Sequence, residues 1–369
     1  MILKNVLTVD PVNGERVATI EIASRKIVSF KETLKEAFDH IVMPGFFDPH
    51  THAAIGIDTM SLDEGKLQKW EHFLYSQGVT SFLPTTVSAD HDAIVTAGSF
   101  LEQYVKRHET TSVKGVHYEG PFINPSRKGA QNPSYIRNAS VEEMRSLPLE
   151  NCKLITMAPE MPGFSDAISF LLKAGVAISA GHTDATYEEM RDAYSLGCKR
   201  MTHFPNGMRG LHHREIGCVG AGIALPMSLE LIADGIHSAP DFIRLIYSLK
   251  GAGKIILITD SMSAAGLDDG NYDLGGLDVE VAKGRATLRD GTLAGSTLLF
   301  SDAVRNFRQF TDCTLTELSR VSSYNALQEV GISDRGRVAE GFEADIVVMN
   351  RELDVLKTIM SGRVVYDAA

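Results

Sequence analysis

Eight short apolar runs alternating with helical stretches constrain this chain more than any other feature. They cover Ile41–Phe47, Val79–Val87, Val113–Tyr118, Lys153–Ala158, Val176–Ala180, Arg200–Phe204, Leu229–Ala233 and Lys254–Thr259. Most are followed by a segment with apolar residues at helical spacing, such as Asp63–Gln77, Asp90–Arg107, Val141–Ser146, Asp166–Ala174, Thr186–Leu196 and Asp241–Lys250. Strands alternating with helices predict a parallel sheet, and eight such units predict an α/β fold closed into a (β/α)8 TIM barrel. An open doubly wound sheet is the alternative. It is weakened as a dinucleotide fold because no G-x-G-x-x-G follows the first run.

The two ends read differently. Ile2–Val9, Arg16–Ile22 and Lys26–Phe30 alternate apolar and polar residues around turns, and Ala344–Val348 and Ile359–Tyr366 return to short strands. A small β-sandwich domain built from residues 1–43 and 335–369, beside a catalytic barrel at 44–334, is expected. Within the barrel the alternation lapses at Asp268–Gly276 and Asp290–Gly295, where Gly and Asp mark a hairpin-like insertion. Helices are expected through Ser301–Phe310 and Leu315–Tyr324.

Charge and cysteines narrow the partners. A formal charge of −11 offers no basic footprint for nucleic acid, though a small anionic substrate needs only a few local cations. Cys152, Cys198, Cys218 and Cys313 are far apart and form no C-x-x-C pair, which fits reduced thiols in the cytoplasm. No charged segment leads into an apolar one at the start, and no apolar run approaches the ~20 residues needed to cross a bilayer. Neither export nor membrane insertion is expected.

Chemistry gathers at the strand ends. The first run leads into Pro49-His50-Thr51-His52, and residues two apart on a strand face the same side. The third ends His117-Tyr118-Glu119, the fifth leads into Gly181-His182, the sixth into Thr202-His203 and the eighth into Thr259-Asp260. Active sites of TIM barrels lie at the C-terminal ends of the strands, so these side chains share one rim. Neutral imidazole and carboxylate oxygen suit zinc or iron(II). Alone, each signal is weak: an H-x-H binds metal in a minority of cases, a single strand-end His is more often structural, and an Asp there often caps a helix. Their conjunction at one end of separate strands is the informative fact. His117 faces the same side as Glu119 and is expected as a supporting or packed histidine; His40, His72, His91 and His108 are expected as surface residues.

This constellation resembles the amidohydrolase superfamily. Many members carry a lysine or glutamate on strand four, whereas here the glutamate ends strand three, within His117-Tyr118-Glu119-Gly120-Pro121-Phe122. That placement is similar to the N-acetylglucosamine-6-phosphate deacetylase family. So are Pro44-Gly45-Phe46-Phe47-Asp48, Ser179-Ala180-Gly181-His182-Thr183, Thr202-His203-Phe204-Pro205-Asn206-Gly207-Met208, Ala233-Asp234-Gly235-Ile236-His237 and Leu293-Ala294-Gly295-Ser296-Thr297. The likeness runs over essentially the whole chain. It implies hydrolysis of the acetamide of N-acetyl-D-glucosamine 6-phosphate to acetate and D-glucosamine 6-phosphate. It also implies one or two divalent ions, zinc or iron(II), with Glu119, His182 and His203 holding the main one and His50 and His52 a second. Asp260 would be the catalytic acid and base.

Substrate contacts implied by the same resemblance are Ala130, Gln131, Asn206, Gly207, Arg214, His237, Leu293, Ala294 and Gly295, with Arg214 and His237 near the phosphate and a homodimer as the assembly. The plain alternative for Arg214 is a surface salt bridge with Glu215; His212 and His213 beside it are as readily a solvated pair. One position departs from the family: a histidine is common where this chain has Gln131, and glutamine can donate a hydrogen bond but cannot carry a cationic proton. Cyclic amidases are disfavoured because no lysine ends the fourth run, Leu154-Ile155-Thr156-Met157-Ala158. A deacetylase of N-acetylgalactosamine 6-phosphate, or a non-catalytic sugar-phosphate binder, stays open as an alternative, the latter disfavoured by Asp260.

Overall fold

The computed structural model describes residues 1–33 and 37–368, so residues 34–36 and 369 of the expected small β domain lie outside the described residues. Eight parallel strands pair in chain order: Phe46–Thr51, Val79–Thr86, Val116–Glu119, Cys152–Met157, Ala177–Ala180, Arg200–Met201, Ser228–Ile232 and Ile255–Ile258. Registers such as Thr85 with His117, Glu119 with Thr156 and Ala180 with Met201 set the strand ends side by side. The ring closes where the Asp260 N–H donates to the His50 carbonyl at 2.9 Å and the His52 N–H to the Ser261 carbonyl at 3.0 Å.

Alternation along the strands divides the core in two. Phe47, Leu83, Leu154, Ile232, Ile256 and Ile258 cluster with Leu327 of the last helix and Val330 just beyond it, while Phe46, Phe82, Ile155, Ile178, Leu229 and Leu257 pack with the apolar faces of the surrounding helices. Fully burying a side chain of this size contributes about 1.5–3 kcal/mol. The helices begin where side chains can take up free backbone N–H groups. Asp63 caps Glu64–Ser76, and Thr186 with Glu189 forms a capping box on Tyr187–Leu196.

Several expected boundaries move. The run Ile41–Phe47 is two strands: His40–Pro44 joins a separate sheet and Phe46–Thr51 enters the barrel. Gly45 makes the transfer possible, since a Cβ there would lie 2.3 Å from Thr80 Oγ1. Ile359–Tyr366 likewise divides into Val355–Met360 and Arg363–Asp367 around Ser361 and Gly362, both at positive φ. The sixth strand is only Arg200–Met201, and the helix expected over Leu315–Tyr324 runs on to Glu329 through a π turn at Arg320–Tyr324. A helix at Gly217–Ala224 follows strand six without a sequence signal, because its glycines lower helix propensity.

The separate sheet has seven strands, ordered Arg363–Asp367, Val355–Met360, Ile346–Met349, His40–Pro44, Ile2–Asp10, Gly14–Ala23 and Lys26–Glu32. Val6, Ile20, Ile22, Ile27, Val42, Ile346, Val348 and Ile359 form its core. The insertion after strand eight is a three-stranded antiparallel sheet, Gly270–Leu274, Leu277–Ala282 and Arg285–Thr287, packed through Leu274 and Val279 against Val87 and Met262. No helix among the described residues is long and apolar enough to cross a membrane.

One buried carboxylate stitches the two chain ends together. Asp10 accepts the N–H groups of Val12, Asn13 and Val338 and both the Nε and Nη2 donors of Arg337. Removing it strands several donors in a site that is 1 % exposed. Asp10→Ala is therefore expected to cost about 3 kcal/mol of stability, read as a lowered thermal unfolding midpoint; an unchanged midpoint would show that the stitch contributes nothing net.

Candidate metal centre

Five strand ends deliver the candidate ligands. His50 and His52 come from the first strand and its exit, Glu119 ends the third, and His182, His203 and Asp260 follow the fifth, sixth and eighth. All six are buried. His182, His203 and Asp260 sit at φ of +46°, +33° and +51°, a left-handed backbone that L-residues adopt at a cost and that concentrates at functional sites. The turns fold each side chain back over the mouth. Gly207 leaves the room this needs: a Cβ there would lie 3.2 Å from His182 Nδ1.

The ligand atoms form two groups of three, Glu119 with His182 and His203, and His50 with His52 and Asp260. In the first, Glu119 Oε1 is 3.3 Å from His182 Nε2 and 3.2 Å from His203 Nε2, and the two nitrogens are 3.0 Å apart. In the second, Asp260 Oδ1 is 3.3 Å from His50 Nε2 and 3.2 Å from His52 Nε2, with 3.3 Å between the nitrogens. A zinc tetrahedron with bonds of about 2.0–2.1 Å has edges of about 3.3–3.4 Å, so both sets have the size of a metal shell. Glu119 reaches across, its Oε1 3.3 Å from His50 Nε2 and its Oε2 3.3 Å from His52 Nε2.

The far nitrogens fix the tautomers. Each Nδ1 has an acceptor: Glu230 Oε2 for His50 at 3.0 Å, the Thr85 carbonyl for His52 at 3.1 Å, the Arg127 carbonyl for His182 at 2.9 Å and the Asn206 carbonyl for His203 at 3.0 Å. With each Nδ1 donating outward, each Nε2 faces the centre, where its lone pair would be free for a metal, the arrangement metal-bound histidines use. Two imidazole nitrogens 3.0 Å apart, both pointing lone pairs inward, are compatible when a cation lies between them.

Electrostatics point the same way. Burial alone would lower the imidazoles, yet Asp260 and Glu119 hold His50 well above its ordinary value and His52 at about 9, and Glu119 holds His182 up. Burial alone would raise Glu119 and Asp260, yet the facing histidines keep both below the usual carboxylate range. Two buried carboxylates here are balanced by the positive charge of the facing imidazoles, a charge that a bound divalent ion would supply in their place. Beneath them, burial pushes Asp48 up to about 7 although Thr259 donates to it. His117 belongs to neither group: it bonds Thr156 Oγ1 at 2.8 Å and Thr85 Oγ1 at 3.3 Å, and burial beside His50 keeps its imidazole neutral.

A cavity of about 270 Å³ opens above the ligands, lined among others by Ala130, Gln131, Asn206, Gly207, His237, Leu293 and Gly295. Ala294 instead packs beneath the loop with Met262 and Val279. His237 is held by Asp234, 2.6 Å from its Nδ1. Arg214 does not line the cavity; it is exposed beside His213, and Glu215 pairs with Arg209 in its place. Gln131 is clamped at both ends, its oxygen accepting from the Ser88 N–H and its amide donating to Glu119 Oε2. Glu230 and Arg200, joined at 2.7 Å inside the barrel, carry no strand-end signal, though a carboxylate in the middle of the apolar run Leu229–Ala233 is itself an anomaly that marks a buried polar role.

Comparison with known proteins places the whole chain beside one group of enzymes. An N-acetylglucosamine-6-phosphate deacetylase from Lysinibacillus sphaericus is 37% identical over 376 residues, covering 99% of this chain and 97% of that protein. The crystal structure of N-acetylglucosamine-6-phosphate deacetylase from Thermotoga maritima superposes with a TM-score of 0.96 at 46% identity over 100% of both chains. A point mutant of the Mycobacterium smegmatis enzyme, in complex with N-acetyl-D-glucosamine-6-phosphate, superposes with a TM-score of 0.93 at 29% identity over 99% of both chains. The amidohydrolase family model matches residues 41–365, and the chain belongs to that family.

Proposed function

We propose that the chain hydrolyses the acetamide of N-acetyl-D-glucosamine 6-phosphate, a linear amide, releasing acetate and D-glucosamine 6-phosphate in cytoplasmic amino sugar catabolism. The observation that carries this reading is the pair of ligand triads with metal-shell spacing at the floor of a sugar-sized cavity. Similarity to deacetylases over nearly the whole chain supplies the substrate class.

Glu119, His182 and His203 would hold one divalent ion, zinc or iron(II), and His50, His52 and Asp260 a second. Bound there, such an ion acts as a Lewis acid that brings the pKa of water towards about 7 and polarises a carbonyl. Asp260 faces the cavity as a carboxylate and takes the proton of the attacking water as oxygen adds to the acetyl carbon. It then returns that proton to the sugar nitrogen as the C–N bond breaks, because an amide nitrogen leaves poorly unless protonated. The Gln131 amide, held by Ser88, keeps Glu119 in place beside this chemistry. Asn206, Gly207, Ala130 and the 293–295 loop would contact the sugar, with His237 and Arg214 towards the phosphate. Because Arg214 stands outside the cavity, it would reach the phosphate by loop movement or from the second subunit of a homodimer.

Acetate release from N-acetylglucosamine 6-phosphate should vanish on chelation and return with zinc or iron(II); no release with any divalent ion would refute the hydrolase reading, and faster release from the galactosamine epimer would reassign the substrate. Asp260→Asn should lower kcat by about 10²–10⁴-fold while leaving KM near the parent value, and a kcat within a few-fold of the parent would remove Asp260 from proton transfer. Arg214→Ala should raise KM much more for the phosphorylated than for the unphosphorylated sugar, whereas equal effects would exclude it from the phosphate site.

A further inference from the structure

Glu230 lies on the seventh barrel strand, 0 % exposed, one layer below the ligands. Its Oε2 accepts from His50 Nδ1 at 3.0 Å and from the His203 backbone N–H at 3.1 Å, while its Oε1 accepts from Arg200 Nε at 2.7 Å. One oxygen therefore touches a residue of each ligand triad. His50 differs from the other three histidines, whose Nδ1 groups all donate to main-chain carbonyls. Its Nδ1 acceptor is a carboxylate, one that the Arg200 guanidinium faces at 2.7 Å in the barrel interior.

We infer that Glu230, with Arg200 as its counter-charge, is a positioning residue that sets the tautomer and ring orientation of His50 and thereby the affinity of the second ion. Through the His203 N–H the same oxygen steadies the left-handed turn at φ +33°, so the first triad is tied to the same anchor. The first ion depends on it less, because the rings of His182 and His203 are oriented by carbonyls elsewhere. Carboxylates behind metal-binding histidines fix which nitrogen carries the proton, and losing one costs about 10–100-fold in metal affinity. The inference rests on the two-ion reading above.

The test compares the parent with two double variants that remove Arg200 and Glu230 together, since deleting one alone would strand the other charge; Glu329, 3.6 Å from Arg200, loses its partner equally in both variants. Arg200→Met/Glu230→Gln keeps an acceptor oxygen for His50; Arg200→Met/Glu230→Leu does not. Each is stripped, reloaded with zinc and titrated against a chelator, and the thermal unfolding midpoint of the metal-free chain is recorded. The leucine pair should lose about 10–100-fold in affinity for the second ion and less for the first, the glutamine pair should hold both at the parent value, and the two metal-free midpoints should coincide. Parent affinity in the leucine pair, or equal loss in both pairs, overturns the inference. If the leucine pair does not fold, the glutamine pair decides alone: parent affinity supports an acceptor role and a loss of tenfold or more overturns it. A parent that binds one ion at saturating zinc overturns the two-ion reading itself.

Discussion

The Asp260 N–H reaches the His50 carbonyl at 2.9 Å, the His52 N–H reaches the Ser261 carbonyl at 3.0 Å, and these bonds join the first barrel strand to the chain just beyond the eighth. Residues from opposite ends of the barrel segment become neighbours only because the ring closes. Without that seam His50 and His52 would lack Asp260, and Glu119 would have no second set of nitrogens to span. Closure also sets the depth of the site, since parallel strands in register place their C-terminal ends on one rim.

Much of this was legible in the residue pattern. Strand-end histidines and carboxylates stand out because apolar runs give way to them abruptly, and a barrel offers only one place for such ends to meet. Gly45 shows where pattern fails: Ile41–Phe47 is one uninterrupted apolar run, and nothing in its letters says that the chain leaves one sheet for another at the glycine. Packing against Thr80 decides that, and Thr80 belongs to a different run. Glu230 was hidden for a related reason. Its bond to His50 is made past strand eight, a relation between strands one and seven that spacing along either strand does not encode.

Gln131 illustrates how a substitution acquires meaning only in place. Glutamine can neither carry a cationic proton nor shuttle one, so the sequence alone suggests a loss. In the structure both ends of its amide are engaged, the oxygen with Ser88 and the nitrogen with Glu119. The side chain behaves as a brace on the carboxylate that spans both triads, at a position where a titratable ring would couple its own protonation to that of the centre.

The left-handed turns at His182, His203 and Asp260 carry a thermodynamic consequence. Such conformations cost about 1–3 kcal/mol each, and three of them converge on one point. An ion that binds the folded chain but not the unfolded one adds RT ln(1 + [M]/Kd), about 2.7 kcal/mol at a hundredfold excess over Kd. An ion held by these groups would thus offset the distortion in the turns that present them, and would tie the stability of the fold to the same binding event as the chemistry.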